Sequence, residues 1–252
     1  MTADRVQVMA PENKLLAKLP REELEVVSPD LEPVRLALRD VLHAPFEPIE
    51  HVFFITRGVA SMVNEPDTGE VVEFATIGSE GIVGFPVVLG SNSVPSRAIM
   101  QVPGEALRLK ATELERALPR TPMLHKLLLR YTMALLNQIA QSTSCNRLHE
   151  VQERCARWLL QTHDRVEGDS FPITHEFLSQ MLGVHRPSVS VAAGMLQKAG
   201  LIEYTRGQVT IVDRKGLEAA SCRCYRIITD EYVRLLEEPE ALPTTARFAR
   251  RQ

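Results

Sequence analysis

Residues 173–212, ITHEFLSQMLGVHRPSVSVAAGMLQKAGLIEYTRGQVTIV, leave few folds open to this chain. Thr174 suits the N-cap of a short helix, because its hydroxyl can accept from an otherwise unpaired first-turn amide. Phe177, Leu178, Met181 and Leu182 form the apolar stripe of that helix, and Gly183 suits a tight turn with left-handed backbone. A second helix is expected from about His185, with Pro187 in its first turn, where no intrahelical N–H is lost. Val189, Ala192, Ala193 and Leu196 then recur at helical spacing and should face inward. Arg186, Ser190, Val191 and Gln197 are left on the outer side. Two short β-patterned runs follow, 201–204 and 208–212, with Arg206-Gly207 as a hairpin turn between them. Helix, turn, helix and two-stranded wing in that order make a winged helix. Its second helix has the width of the DNA major groove, where base edges are distinguishable.

Net charge at first argues against nucleic acid, because the chain carries −3. The charge is unevenly placed: residues 1–144 are net −4, 145–226 net +2 and 227–252 net −1. The winged helix thus falls in the one positive stretch, and weakly so. Phosphate contacts supply much of non-specific affinity, so useful affinity should depend on dimerisation. No run approaches the roughly 18 apolar residues of a membrane span, and the N-terminus lacks signal-peptide character. A cytoplasmic protein with reduced thiols is the expectation, and no membrane partner is expected.

The first half reads differently. Leu15, Leu16, Leu19 and Leu24 suggest a helical lead-in; from Val34 to Leu109 short β-runs alternate with turn residues. Expected strands cover 52–55, 59–63 and 71–75, with Arg57-Gly58 as a turn and Asp67-Thr68-Gly69 as a hairpin tip. From Pro122 a long helix is expected. Leu124, Leu128, Tyr131 and Leu135 step along one heptad-like seam that continues through Gln138, Ser142 and Cys145; Leu129, Met133, Leu136 and Ala140 make a second row. One row can cover the β-domain while the other meets a second chain, and the dimer contact is assigned to Leu124, Leu128, Tyr131 and Leu135. A single wide stripe packed within one domain is the alternative.

The fold class is therefore α+β: an N-terminal, jelly-roll-like β-roll sensor domain at 1–120, a dimerisation helix and hinge at 121–148, a winged helix-turn-helix at 149–238 and a disordered tail at 239–252. On the segment Phe53 to Gly58, the glycine-rich run from Gly78 to Ala98, the long helix, and Thr174, Gly183, Arg186, Ser188 and Val189, the chain resembles the Crp/Fnr family of transcription regulators. The resemblance covers roughly residues 14–225. It implies double-stranded DNA and a second copy of the chain as partners, RNA polymerase as a further candidate, and a small effector bound in the roll. Arg186 stands where the family arginine reads guanine. Pro187 and Val191 replace a glutamate and a second arginine, so the half-site should differ from that of the cyclic-AMP-responsive members. Arg186, Pro187, Ser190 and Val191 are assigned to base reading; Thr174, His175, Ser188 and Arg206 to phosphate.

The effector region departs from the family pattern. Glu80-Gly81 inverts the usual order, and Ser96-Arg97-Ala98 puts Ser96 where the phosphate arginine is expected. A one-residue shift turns a strand side chain to the other face. The adenine-reaching Thr-Ser pair becomes Ile139-Ala140, with Thr143-Ser144 a turn further on. The effector set to examine is thus Glu80, Gly81, Ser96, Arg97, Thr143 and Ser144, and the departures argue against cyclic AMP. An N-terminal iron–sulfur cluster is excluded by the lack of any cysteine before Cys145, and His43 and His51 make a poor case for haem. The effector is left unidentified, or the protein is constitutively DNA-competent.

The remaining signals are weaker. Asp213 is expected to cap a helix running to Tyr225, with Cys222 and Cys224 inside it. Residues two apart do not share a helix face, so a shared metal is not expected. A redox sensor using Cys222 and Cys224, or a winged helix that binds protein rather than DNA, are the alternatives. Cys145 and His149 lack the acid orienter and oxyanion loop of an enzyme.

Overall fold

The computed structural model describes residues 12–65 and 71–237. The hairpin tip expected at 67–69 and the tail at 239–252 lie outside the described residues. A lead-in with helix α1 (Arg21–Val27) enters a six-stranded antiparallel sheet: β1 (Glu32–Leu36), β2 (Val41–His43), β3 (His51–Asn64), β4 (Val72–Ile77), β5 (Ile82–Val83) and β6 (Arg97–Lys110). The order is β1-β6-β3-β4, with β2 on β6 and β5 on β3.

Arg57-Gly58 does not reverse the chain, as the sequence suggested. It is a set of bulges within the 14-residue β3, where the register with β6 shifts between Ile55, Arg57 and Val59. Gly58 adopts φ +83°, and a Cβ on Gly104 of the paired strand would lie 1.9 Å from the Arg57 carbonyl oxygen. The two glycines let the strands cross closely and curl the sheet into a roll.

Helix α2 (Ala111–Ala117) leads to α3 (Pro122–Leu148). Glu23 of α1 accepts from the amides of Met123 and Leu124, both at 2.9 Å, placing a carboxylate on the positive end of α3. Leu124, Leu128, Tyr131 and Leu135 are fully buried in one core with Phe54, Ile77 and Ile82 of the roll. The seam assigned to the dimer therefore lies inside the monomer. Leu129, Met133, Leu136 and Ala140 are on the surface instead. Both rows repeat at heptad spacing, and periodicity alone does not say which one meets the roll.

Helix α4 (Val151–His163) begins with a capping box between Glu150 and Glu153. Then come β7 (Ser170–Pro172), α5 (His175–Leu182), α6 (Arg186–Lys198), β8 (Ile202–Thr205), β9 (Gln208–Ile211), α7 (Arg214–Ala220) and α8 (Cys224–Leu236). The wing is a three-stranded sheet, β7-β9-β8, rather than two strands. Trp158, Leu178, Leu182, Val189, Leu196 and Val209 share a second core that also takes in Val63 of β3. Helix α8 leaves this unit and packs along α3, its Leu236 joining the core of the roll.

A buried polar chain joins the winged helix to the outer face of the roll. Trp158 Nε1 donates to Glu73 at 2.7 Å, Glu73 lies 2.6 Å from Ser61 Oγ, Ser61 touches the Gln101 carbonyl oxygen, and Gln101 donates to Thr162 at 3.0 Å. The Ser61 hydroxyl has one proton and faces two acceptors if Glu73 is ionised. A protonated Glu73 donates to Ser61, which then donates to Gln101, and every group is satisfied. Burial accordingly raises the Glu73 carboxyl to about 7, against opposing hydrogen bonds from Ser61 and Trp158 and the charges of Arg157 and Arg165.

Candidate functional site

The outer face of α6 is built by local rules. Thr174 Oγ1 accepts from the Phe177 amide at 3.1 Å and starts α5; Gly183, at φ +60°, ends it. His185 is the N-cap of α6, with Pro187 in the first turn. Val189, Ala192, Ala193 and Leu196 are buried, so Arg186, Pro187, Ser188, Ser190 and Val191 are exposed together, Val191 at 64%. At the wing tip Arg206 and Gly207 both have positive φ, +51° and +80°, the signature of a type I′ hairpin, and Arg206 is exposed.

The side chains flanking α6 are tied to one another. Gln197 accepts from the Tyr204 amide at 3.1 Å, fastening the end of α6 to the wing, and the Tyr204 hydroxyl donates to the Ile173 carbonyl at 2.6 Å. His175 stacks on Tyr204 with ring centroids 4.3 Å apart, and its Nδ1 lies 3.0 Å from Ser190 Oγ. Its Nε2 is enclosed without a partner. Burial, then the charge of Arg186, lowers the His175 pKa and favours the neutral ring. His175 thus braces α6 against the wing instead of reaching out to phosphate, and Ser190 is engaged with it. The Thr174 hydroxyl accepts in its cap and keeps its proton to donate.

The six residues proposed for the effector are dispersed. Glu80 forms a partly buried ion pair with Arg165 at 2.7 Å; Arg165 also donates to the Gln161 carbonyl and lies over the Tyr232 ring of α8. A guanidinium of the winged-helix unit thus engages the carboxylate that the sequence assigned to the effector set. A Cβ on Gly81 would lie 2.3 Å from the Tyr131 hydroxyl, so this side chain fills the space beside the glycine. Gln138 donates to the Thr76 carbonyl and accepts from the Tyr232 hydroxyl, adding to the plug. Ser96 is buried. Arg97 pairs with Glu65 at 3.3 Å on the strand face that carries Ile99 and Gln101, whereas Ala98 and Met100 face the roll interior. Thr143 and Ser144 are exposed on α3 and donate back to the carbonyls of Ile139 and Ala140. A cavity of about 230 Å³ lies against the Glu80–Arg165 ion pair, between the lead-in, the end of α4 and α8, bordered by Lys14, Lys18, Glu80, Arg165, Arg214 and Tyr232.

The cysteines are placed otherwise than the sequence suggested. Helix α7 ends at Ala220 and α8 begins at Cys224, so Cys222 sits in a non-helical link. That break lets both thiols turn to the end of α3, where Cys145 Sγ is 3.4 Å from Cys222 Sγ and Cys224 Sγ is 3.4 Å from His149 Nδ1. The hydrogen bond from Cys222, with added charge from Arg157, lowers the Cys145 pKa, while the same hydrogen bond and burial raise that of Cys222. Cys155 lies apart in the winged-helix core, where burial raises its thiol to about 12.

Residues 153–220 match the Crp-like helix-turn-helix domain. The chain carries a Crp-like DNA-binding domain on a Crp/Fnr-type fold. Most of the chain superposes on FixK2 from Bradyrhizobium japonicum (TM-score 0.66, 17% identity, 76% of this chain and 98% of that one). It likewise matches a putative Crp/Fnr-family regulator from Eubacterium rectale (0.64, 16%, 82% and 96%). A third match is the c-di-GMP responsive global regulator CLP from Xanthomonas campestris (0.61, 16%, 75% and 97%). No curated protein matches the chain. At these identities the structural likenesses establish the fold, and the domain match marks a DNA-binding transcription regulator.

The Crp-like domain is not carried on a loose tether. Arg165, Trp158 and Thr162 fasten it to the roll, and Gly183 of its turn lies beside Val72 of β4, where a Cβ would come within 3.4 Å. None of these partners was identified from sequence. Trp158, the only tryptophan, and Glu73, an acid inside an apolar strand, were the available signals.

Proposed function

We propose that the chain is a sequence-specific regulator that binds DNA as a two-fold homodimer and reads base edges with the first half of α6. The carrying observation is the common exposure of Arg186, Pro187 and Val191 on a helix whose opposite face is sealed in the Crp-like core. Arg186 reads guanine through its planar fork, Pro187 and Val191 offer apolar contact to thymine methyls, and Thr174, Ser188 and Arg206 hold phosphates. Ser190 would have to leave His175 before it could read a base.

The row Leu129, Met133, Leu136 and Ala140 supports pairing of α3 with the same helix of a second chain, since four apolar side chains at heptad spacing are otherwise left in water. The Tyr131–Gln138–Tyr232 plug and the Glu80–Arg165 ion pair support a roll that does not take cyclic AMP. The protein is then either held DNA-competent by its own packing or answers to a different effector.

Selection of genomic fragments with the purified full-length protein, followed by duplex binding across a salt series, tests the reading. Enrichment of a two-fold-symmetric site and a steep fall of affinity with salt are expected. Absent or salt-insensitive binding would overturn it.

A further inference from the structure

We propose that Cys145, His149, Cys222 and Cys224 form a mononuclear site for a thiophilic divalent metal ion of the zinc class, clamping the end of α3 to the link between α7 and α8. The four donor atoms lie within 4.8 Å of one another. A tetrahedral zinc ion with Zn–S about 2.3 Å and Zn–N about 2.0 Å needs donor separations of roughly 3.5–3.8 Å. The 3.4 Å contacts between Cys145 and Cys222, and between Cys224 and His149 Nδ1, are a few tenths of an ångström from that. The set is too tight for an iron–sulfur cluster, which interposes iron and sulfide between its thiolates. Three sulfurs and one imidazole suit zinc and disfavour magnesium or calcium, which take oxygen.

Two further observations set these thiols apart from packing residues. Cys145, Cys222 and Cys224 are buried against one another as a group of their own, whereas Cys155 is absorbed into the apolar core. Arg154 and Arg157 are buried with unpartnered Nε atoms, Arg157 within charge range of Cys145, and Arg154 of both Cys145 and Cys222. A divalent ion with three thiolates carries a net −1, which answers those guanidiniums. Gln141 Nε2, 3.1 Å from Cys224 Sγ, is an outer-shell donor to a thiolate. Binding forms three metal–sulfur bonds and one metal–nitrogen bond and releases the thiol protons to water; no electron moves.

Cys145 and His149 bracket the last turn of α3, where the chain swings into the Crp-like domain, and Cys222 and Cys224 join that domain to α8. Occupancy therefore fixes the hinge. This regulatory consequence rests on the DNA-binding reading; the metal site itself does not.

The full-length protein, reduced and stripped with chelator, is titrated with cobalt(II) under anaerobic conditions. One cobalt per chain is expected, with thiolate-to-cobalt charge-transfer absorption and tetrahedral ligand-field bands that one equivalent of zinc bleaches. Cys222→Ser and His149→Ala, shown folded by circular dichroism, should lose more than the roughly 10–100-fold affinity that an outer-shell change costs. Cys155→Ala should bind as wild type. Absence of thiolate–cobalt bands in the folded, reduced protein, or unchanged bands in Cys222→Ser, overturns the proposal. So does a reduced protein that takes up no cobalt yet forms a Cys145–Cys222 disulfide under mild oxidation.

Discussion

Replacing Glu73 with glutamine should remove a pH dependence from the docking of the Crp-like domain on the roll. The wild-type acid ordinarily titrates near 4.5 and is held at about 7 in the docked state. That difference corresponds to about 3 kcal/mol of stability that exists only while the carboxyl keeps its proton. Below pH 4.5 both the docked and the released acid are protonated and the stabilisation is complete. Between 4.5 and 7 the released state ionises first, so stability falls as pH rises; above 7 the loss is complete. Glutamine keeps the geometry, donating to Ser61 and accepting from Trp158, with nothing to ionise. His43 and His175, whose pKa values burial lowers, contribute the opposite slope, and the difference between wild type and Glu73→Gln cancels them. Trp158 is the sole tryptophan and bonds Glu73 directly, so its fluorescence during urea unfolding reports this contact. Glu73→Gln should be more stable than wild type by about 3 kcal/mol at pH 8 and nearly equal to it at pH 4.5. A stability difference that does not change with pH would refute the protonated-acid account.

Other outcomes follow from the same geometry. Arg186→Ala should flatten base preference at one half-site position by about 1–3 kcal/mol, read by repeating the fragment selection; an unchanged profile removes its reading role. Leu136→Asp, on the exposed row of α3, should give a folded monomer with weak DNA binding by sedimentation and circular dichroism, whereas Leu128→Asp should unfold the roll; an intact Leu136→Asp dimer would count against the α3 pairing. Gly104→Ala should unfold the roll at lower denaturant, by several kcal/mol, since its methyl overlaps the Arg57 carbonyl; a loss of under about 1 kcal/mol would show that the strands can part. Gly194→Ala, which meets nothing within 4 Å on α6, should instead stabilise the domain by about 1 kcal/mol in the same assay.

The helix-turn-helix was legible because its signals are local. Thr174, Gly183 and Pro187 each fix their own backbone, and the inward row of α6 follows one period. The wing turn was legible for the same reason, although β7 was missed: three residues ending in proline carry too little pattern to announce a strand. Arg57-Gly58 misled because a glycine that opens a bulge looks like one that closes a turn until Gly104 is found opposite. The thiol cluster could not be read, since Cys145 and Cys222 meet only through the packing of α8 on α3. No glycine or proline marks the break at Ser221-Cys222 that frees Cys222 from a helix.

The recognition helix is held at both ends by different parts of the chain. The turn that leads into it rests against β4 through Gly183 and Val72, and its trailing end is bonded to the wing through Gln197 and Tyr204. In a symmetric pair, the distance and twist between the two reading surfaces are then set by the roll and α3, with no slack in between. One inserted base pair at the operator centre rotates the far half-site by roughly a tenth of a turn. A body braced in this way would have to twist the DNA, and not itself, to keep both halves engaged.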